Sequence, residues 1–285
     1  MTIDIIKGRW NKNIYIIEKE LGRGNIGTVY LVSNNKGKKI ALKCSDDIAS
    51  LTTEFNVLKK LSLSFIPKVY DLDDAYIKDS YKYFFVMEYI EGICLNEHIK
   101  NKSNIEELLE ISYELSKKLY DIYKLGYTYW DIKFENIIIE KNTKKLKLID
   151  FGGVTKNNHS IKEYTPSYNI NSFLDTPFYD DRALVFSVNL LLISSLTKQS
   201  YNPLTNNIED IIYSMKPLEI NDDIKTLITR GLKGKYNISD YIYDINNILN
   251  CNENLYIIKF IDRFFLISLS LFLIFLGFLF KIYII

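Results

Sequence analysis

Two short stretches constrain this chain more than anything else in it. Tyr129-Trp130-Asp131-Ile132-Lys133-Phe134-Glu135-Asn136 comes first, and Asp150-Phe151-Gly152 follows 14 residues after Asn136. Each adjoins an apolar run, Ile137-Ile138-Ile139 and Leu146 to Ile149, the pattern of a short β pair. Phosphoryl transfer needs one carboxylate near the acceptor hydroxyl and further oxygen ligands to hold a divalent cation across the phosphates. Asp131, Asn136 and Asp150 supply groups of that kind. Carboxylate and amide oxygens suit hard Mg2+ without histidine or cysteine. The chain of 285 residues has only two histidines, His98 and His159, so triads and histidine-rich metal sites have little material.

A glycine pattern, Gly22-x-Gly24-x-x-Gly27-x-Val29, lies upstream within ELGRGNIGTVYLV. Alone it is weak. A dinucleotide fingerprint needs a helix after the turn. Here Gly27 is followed by Thr-Val-Tyr-Leu-Val, a strand pattern, and then by the hairpin chemistry of Asn34-Asn35-Lys36-Gly37. A glycine-rich turn between antiparallel strands can cover phosphates with its backbone N–H groups; a plain β-turn is the alternative. Ala41-Leu42-Lys43 occupies the next strand pattern, and Glu54 shares a helical face with Leu51, Leu58 and Leu61. A strand lysine facing a cleft can hold the α- and β-phosphates, with a helix glutamate holding the lysine. An exposed strand lysine is the plainer reading.

Strand-like runs fill the first third of the chain, at Ile14 to Ile17, Thr28 to Val32, Ile40 to Lys43 and Tyr83 to Glu88. From Leu95 onward helical patterns dominate, notably Ile105 to Leu125, Leu184 to Leu196 and Ile238 to Leu249. The expected fold class is α+β, a small β-rich lobe followed by a larger helical one. A formal net charge of +1 argues against a nucleic-acid partner, which a basic excess would signal. The three cysteines, Cys44, Cys94 and Cys251, form no C-x-x-C pair and read as thiols in a reducing compartment.

One end of the chain differs from the rest. Phe264 to Phe280 is a run of 17 residues without a charge. Phe264 to Ile285 reaches roughly 33 Å if helical, enough for a bilayer core. The expectation is a transmembrane helix over 264–283 behind a juxtamembrane linker over 251–263. The N-terminal MTIDIIKGRW lacks the apolar run of a signal peptide, so the body is expected to face the cytoplasm as a single-pass protein. A buried C-terminal core helix is the alternative.

Taken in order, the four motifs resemble those of the eukaryotic-type (Hanks-type) serine/threonine protein kinase family, in a divergent, bacterial-like form, over roughly Tyr15 to Leu249. The resemblance implies a bilobal fold, with an N-lobe over 12–90 and a C-lobe over 91–250. It implies ATP with Mg2+ or Mn2+, and a protein substrate that offers a Ser or Thr hydroxyl. Gly22, Gly24 and Gly27 would cover ATP, and Val29, Ala41 and Ile138 would sandwich adenine. Met87 to Glu91 would be the hinge, with Met87 and Glu88 among the ATP contacts. Lys43 would pair with Glu54 and the phosphates. Asp131 would orient and deprotonate the acceptor, Lys133 would neutralise the γ-phosphate, and Asn136 and Asp150 would bind metal. Lys133, two residues after Asp131, resembles the serine/threonine branch, and Thr165-Pro166-Ser167-Tyr168 resembles the T-P-x-Y that shapes the substrate-binding end of the activation segment.

The chain also departs from the family pattern. Trp130 stands where an Arg normally pairs with an activation-loop phosphate, and Ile170-Asn171-Ser172 replaces Ala-Pro-Glu. Leu184 replaces the Asp that anchors the catalytic loop, and Lys235 is the nearest candidate for the Arg that partners the missing Glu. These departures bear on regulation and substrate docking rather than on nucleotide and metal binding. Two alternatives stay open: an ATP-binding pseudokinase or scaffold, and a kinase-fold enzyme acting on a small molecule. Retention of Lys43, Asp131, Asn136 and Asp150 favours an active protein kinase.

Overall fold

The computed structural model describes residues 5–24, 27–77, 80–100, 104–157, 159, 164–174, 178–251, 261 and 264–271. Its first part is an antiparallel sheet of β1 (Ile5–Lys7), β2 (Ile14–Arg23), β3 (Thr28–Asn34), β4 (Lys39–Ser45), β5 (Val69–Ile77) and β6 (Ser80–Glu88), in the order β1-β2-β3-β4-β6-β5. Strand β4 lies between β3 and β6 and is buried from Ile40 to Ser45, as a central strand covered on both faces must be. Lys43 sits in this strand, opposite Val29 on one side and Phe85 on the other.

Helix α1 (Ile48–Leu61) packs against β4, β5 and β6. Asp47 caps its start by accepting the N–H groups of Ala49 and Ser50, a contribution of about 1 kcal/mol. Lys59 and Lys60 lie in the last turn, where the helix dipole favours positive charge. Leu51, Val57, Leu58 and Leu61 are buried, and Glu54 is buried among them.

The sequence patterns named no strand at Val69–Ile77, because Asp71, Asp73 and Asp74 break the apolar alternation. The N-terminal segment supplies what those carboxylates need. Asp73 accepts the backbone N–H groups of Trp10 and Asn11, and Asp71 accepts Asn11 and Asn13 side-chain amides and the Tyr15 hydroxyl. Arg9 pairs with Asp74 at 3.0 Å and donates its backbone N–H to the Asp74 carbonyl. Residues 5–13 therefore pair with β2 at one sheet edge and bond to β5 at the other.

The second part is helical. Helix α4 (Arg182–Thr197) is buried from Ala183 to Ser195 without a break, the signature of a helix enclosed on all sides. Against it pack α3 (Ile105–Lys124) and α6 (Asp222–Leu232). Short strands lie on this lobe: β7 (Gly92–Cys94), β8 (Tyr127–Tyr129), β9 (Ile137–Glu140), β10 (Leu146–Leu148) and β11 (Val154–Lys156). The expected β pair is present, with Ile137 opposite Leu148 and Ile139 opposite Leu146. β11 pairs with β8. Helices α2 (Leu95–Lys100) and α5 (Ile208–Tyr213) complete the lobe with a helix over 238–251.

Residues 264–271 are helical, and Phe264, Phe265, Leu266 and Ile267 are exposed, so this stretch is not packed into a core. Among the described residues no helix is long and apolar enough to cross a membrane. Most of the expected linker over 251–263 and the second half of the expected span over 264–283 lie outside the described residues.

Candidate active site

Lys43 reaches across the cleft between the lobes. Its Nζ donates to Glu54 Oε2 at 2.7 Å and to Asp150 Oδ1 at 3.0 Å. Glu54 uses its other oxygen to accept the Phe151 backbone N–H at 3.1 Å, so one carboxylate on α1 holds both the strand lysine and the Asp150-Phe151 turn. Burial would push the Lys43 pKa down, but the Glu54 and Asp150 charges outweigh it and raise the value, so the ammonium stays charged. Burial pushes the Glu54 carboxyl up against the pull of Lys43. Burial would also raise Asp150, but the Lys43 charge brings it below the usual carboxylate range.

Asp150 has a positive φ of 64°, a conformation that costs a non-glycine residue energy and is met mostly at functional sites. The neighbours that hold it are visible. Tyr129 donates its hydroxyl to the carbonyls of Ile149 at 2.7 Å and Asp150 at 3.1 Å, and its ring meets Phe151 edge-on with centroids 5.1 Å apart. Both rings are buried. The Asp150 side chain is 42% exposed, so a backbone held by Tyr129 presents a carboxylate to the cleft.

Asp131 lies in the loop after β8, and both of its oxygens are engaged. Lys133 Nζ is 2.7 Å from Oδ2, Asn136 Nδ2 donates to Oδ2 and to the Asp131 carbonyl at 2.9 Å each, and the Thr165 hydroxyl donates to Oδ1 at 2.7 Å. The amide hydrogens of Asn136 are thus spent on Asp131, which leaves its carbonyl oxygen as the atom suited to a cation. Asn136 also accepts the Ile149 N–H through its backbone, tying the two motifs together next to Asp150.

The upper wall of the cleft follows from the sheet. A Cβ on Gly27 would come within 2.1 Å of the Cys44 carbonyl, so a side chain is excluded there, while Gly22 and Gly24 face open space. Gly24 N–H donates to the Gly27 carbonyl, closing the turn. Half-buried Val29 packs against the same apolar cluster as Ala41 and Met87. Met87 lies within β6, flanked by Ala41 and Val69, and Glu88 ends that strand, so the connector between lobes is Tyr89 to Glu91. Ile138 is half-buried on β9, opposite Cys94 and Lys147. An open cavity of about 670 Å3 lined by Leu31, Tyr89, Glu91 and Glu140 lies at the outer edge of this connector and shares no residue with the Lys43–Asp150 pair.

This geometry brings Lys43, Glu54, Asp131, Lys133, Asn136 and Asp150 around one cleft. The sequence matches the protein kinase domain family over residues 15–255. The chain belongs to the protein kinase family. It is 32% identical over 246 residues to the serine/threonine-protein kinase YabT of Bacillus subtilis (strain 168), covering 82% of this chain and 71% of that one. It is 26% identical over 235 residues to the probable serine/threonine-protein kinase 2 of Plasmodium falciparum, covering 77% of this chain and 44% of that one. With the serine/threonine-protein kinase CLA4 of Candida albicans it shares 25% identity over 204 residues, 67% of this chain and 21% of that protein. The enzyme is thus a serine/threonine protein kinase with the bilobal α+β fold of its family.

Other contacts occupy the region of the Ala-Pro-Glu departure. Asn171 donates its amide to the Phe178 carbonyl at 3.0 Å and accepts the Phe178 N–H at 2.6 Å. Ile170 is fully buried, and a Cβ on Gly234 would come within 3.4 Å of it. Apolar packing and a side-chain amide therefore occupy the region where the motif would place a carboxylate. Lys235 donates its backbone N–H to the Arg230 carbonyl, and Arg230 pairs with Tyr236 and Asp244 instead. Ser187 of α4 donates to the Tyr168 carbonyl, tying the Thr165-Pro166-Ser167-Tyr168 segment to the helical core.

Sequence reasoning missed two residues of this site. Tyr129 supports the Asp150 backbone, and Thr165 contacts Asp131. The place of Tyr129 two residues before Asp131 was a signal for the first. The Thr165-Pro166-Ser167-Tyr168 motif marked the second, but not its bond to Asp131, 34 positions away.

Proposed function

We propose that the kinase binds ATP between the glycine turn and β9 and transfers its γ-phosphate to a Ser or Thr hydroxyl of a protein, with Asp131 as the acceptor-side base. The observation that carries this reading is the Lys43 ammonium bonded to both Glu54 and Asp150, in a cleft whose opposite side holds Asp131. Lys43 would hold the phosphates. Lys133, already 2.7 Å from Asp131, would balance charge developing between base and phosphate. Among the described residues no group of three or more His, Cys, Asp and Glu could hold a metal; Asn136 and Asp150 supply two oxygens, a set suited to a cation whose remaining ligands are phosphate and water. Mg2+ or Mn2+ held there would neutralise phosphate charge.

The apolar run from Phe264 supports a second element of the proposal: the C-terminus tethers the enzyme to a membrane as a single span, with the lobes on the side that supplies ATP. The exposed apolar side chains of Phe264 to Ile267 favour it over a packed helix.

Incubating the purified protein with γ-labelled ATP, Mg2+ and a generic basic acceptor protein, followed by phosphoamino-acid analysis, tests the transfer. Labelled serine or threonine is expected. ATP binding without transfer would make the chain a pseudokinase, and label appearing only in small molecules would redirect the substrate class.

A further inference from the structure

The activation segment leaves Asp150 and runs into β11, and among the described residues the bonds that hold β11 to the lobe are between neutral groups. Trp130 Nε1 donates to Thr155 Oγ1 at 2.9 Å, and both side chains are buried, 3% and 7% exposed. β11 pairs with β8 so that Thr155 lies opposite Thr128 and Val154 opposite Tyr129. Beyond them Thr128 donates to Asn157 Oδ1 at 2.9 Å, and Asn157 donates to the carbonyls of Gly126 and Tyr123.

We infer that Trp130 and Thr155 are a positioning pair that holds the Asp131 loop in register with the strand leaving Asp150. Trp130 is bonded directly to Asp131 in the chain, and Thr155 follows Asp150 by five residues. The indole N–H is a donor with no acceptor capacity, so inside the core it points at an acceptor or is left unpaired. The Thr155 hydroxyl is that acceptor, and it fixes the rotation of the Trp130 side chain and with it the start of the Asp131 loop. Among the described residues the bonds that join β11 to β8 and Trp130 are between neutral groups, so this contact itself involves no phosphate. The register between base and metal ligand is set by folding alone. The inference rests on the transfer reading above.

Three variants test it. Thr155→Val keeps the shape and removes the acceptor, and Thr155→Ser restores the hydroxyl. Trp130→Phe with Thr155→Val removes both partners, so no buried donor is left unpaired and the fold is spared that cost. Transfer by the wild-type protein, measured alongside, tests the kinase reading separately. Misplacement of a reacting group by about 1 Å can cost up to about 100-fold, so kcat should fall about tenfold or more in Thr155→Val and in the double variant. KM for ATP should hardly change, because Lys43 and Glu54 are untouched. Thr155→Ser should recover most of the wild-type kcat, and phosphatase treatment of the wild type should leave its rate unchanged. Indole emission in a Trp10→Phe background, where Trp130 is the one remaining indole, should shift in Thr155→Val and return in Thr155→Ser. A double variant with wild-type kcat would reduce the bond to a stability contact and overturn the inference. So would a wild type that loses its rate with phosphatase and regains it on rephosphorylation.

Discussion

The Thr165 hydroxyl donates to Oδ1 of Asp131 at 2.7 Å while Lys133 and Asn136 hold Oδ2 of the same carboxylate. The proposed base is therefore oriented from both sides, by its own loop and by the segment that leads to α4. Thr165→Val keeps the volume and removes the donor. We expect kcat to fall by about tenfold with little change in KM for ATP, since orientation rather than binding is lost. Steady-state rates at varied ATP and acceptor concentrations check it, and a wild-type kcat would detach Thr165 from the chemistry.

Asp150→Asn and Lys43→Met should each lower transfer by about 100-fold or more, because preorganised charge at the phosphates is the main catalytic contribution. Glu54→Gln should lie between them and the wild type. It removes the charge opposite Lys43 yet keeps an oxygen for the Phe151 N–H. Initial rates decide this; nucleotide binding does not, since it can survive in all three. Turnover at the wild-type level in Lys43→Met would reject the assignment.

Asn171→Ala removes both bonds to Phe178. The expected outcome is a raised KM for the protein acceptor with KM for ATP unchanged, because Asn171 is distant in sequence and bonding from the Lys43–Asp150 pair. A lower rate with both KM values unchanged would point to a smaller folded fraction instead.

Asp73 gives the fold an acid limit. Burial alone would raise its pKa, but the N–H groups of Trp10, Asn11 and Asp74 bring it below the usual value. A carboxyl depressed in the folded state contributes stability that is present above its unfolded value of about 3.9 and is lost as pH falls through the lower folded value. The thermal midpoint of the wild type should thus drop on acidification below about pH 4. Asp73→Asn should start lower at neutral pH and lose less on the way down. Parallel curves for the two proteins would show that other carboxylates carry the acid limit.

The proposed membrane tether makes a physical prediction too. A lysine or arginine at the centre of a membrane helix costs roughly 2.5–3.5 kcal/mol. Leu271→Arg with Leu276→Arg should release much of the protein from lipid vesicles in a flotation assay, and a chain ending at Leu255 should stay in the aqueous fractions. A full-length chain that remains there would remove the tether from the proposal.

Much of the architecture was legible in local patterns. The Ile137-Ile138-Ile139 run pairs with the Leu146 run, and Leu51, Glu54, Leu58 and Leu61 share the buried face of α1. Such features depend on periods of two and 3.6 residues, which a linear sequence displays directly. Motif order also named the cleft residues, since Lys43, Glu54, Asp131, Asn136 and Asp150 each stand in a recognisable context.

Other features had no local signal. Strand β5 carries three aspartates that read against a strand, and it forms because Trp10, Asn11 and Tyr15, about 60 positions upstream, satisfy the carboxylates. The Trp130 substitution reads as a loss until Thr155, 25 positions on, accepts its N–H. Tyr129, Trp130 and Thr165 matter through hydrogen bonds, whose energy depends on distance and angle to a partner that only folding brings near. Apolar periodicity is written along the chain because burial is indifferent to which apolar neighbour provides it. A hydrogen bond requires one particular atom in one place, and that place exists only after the lobes have packed.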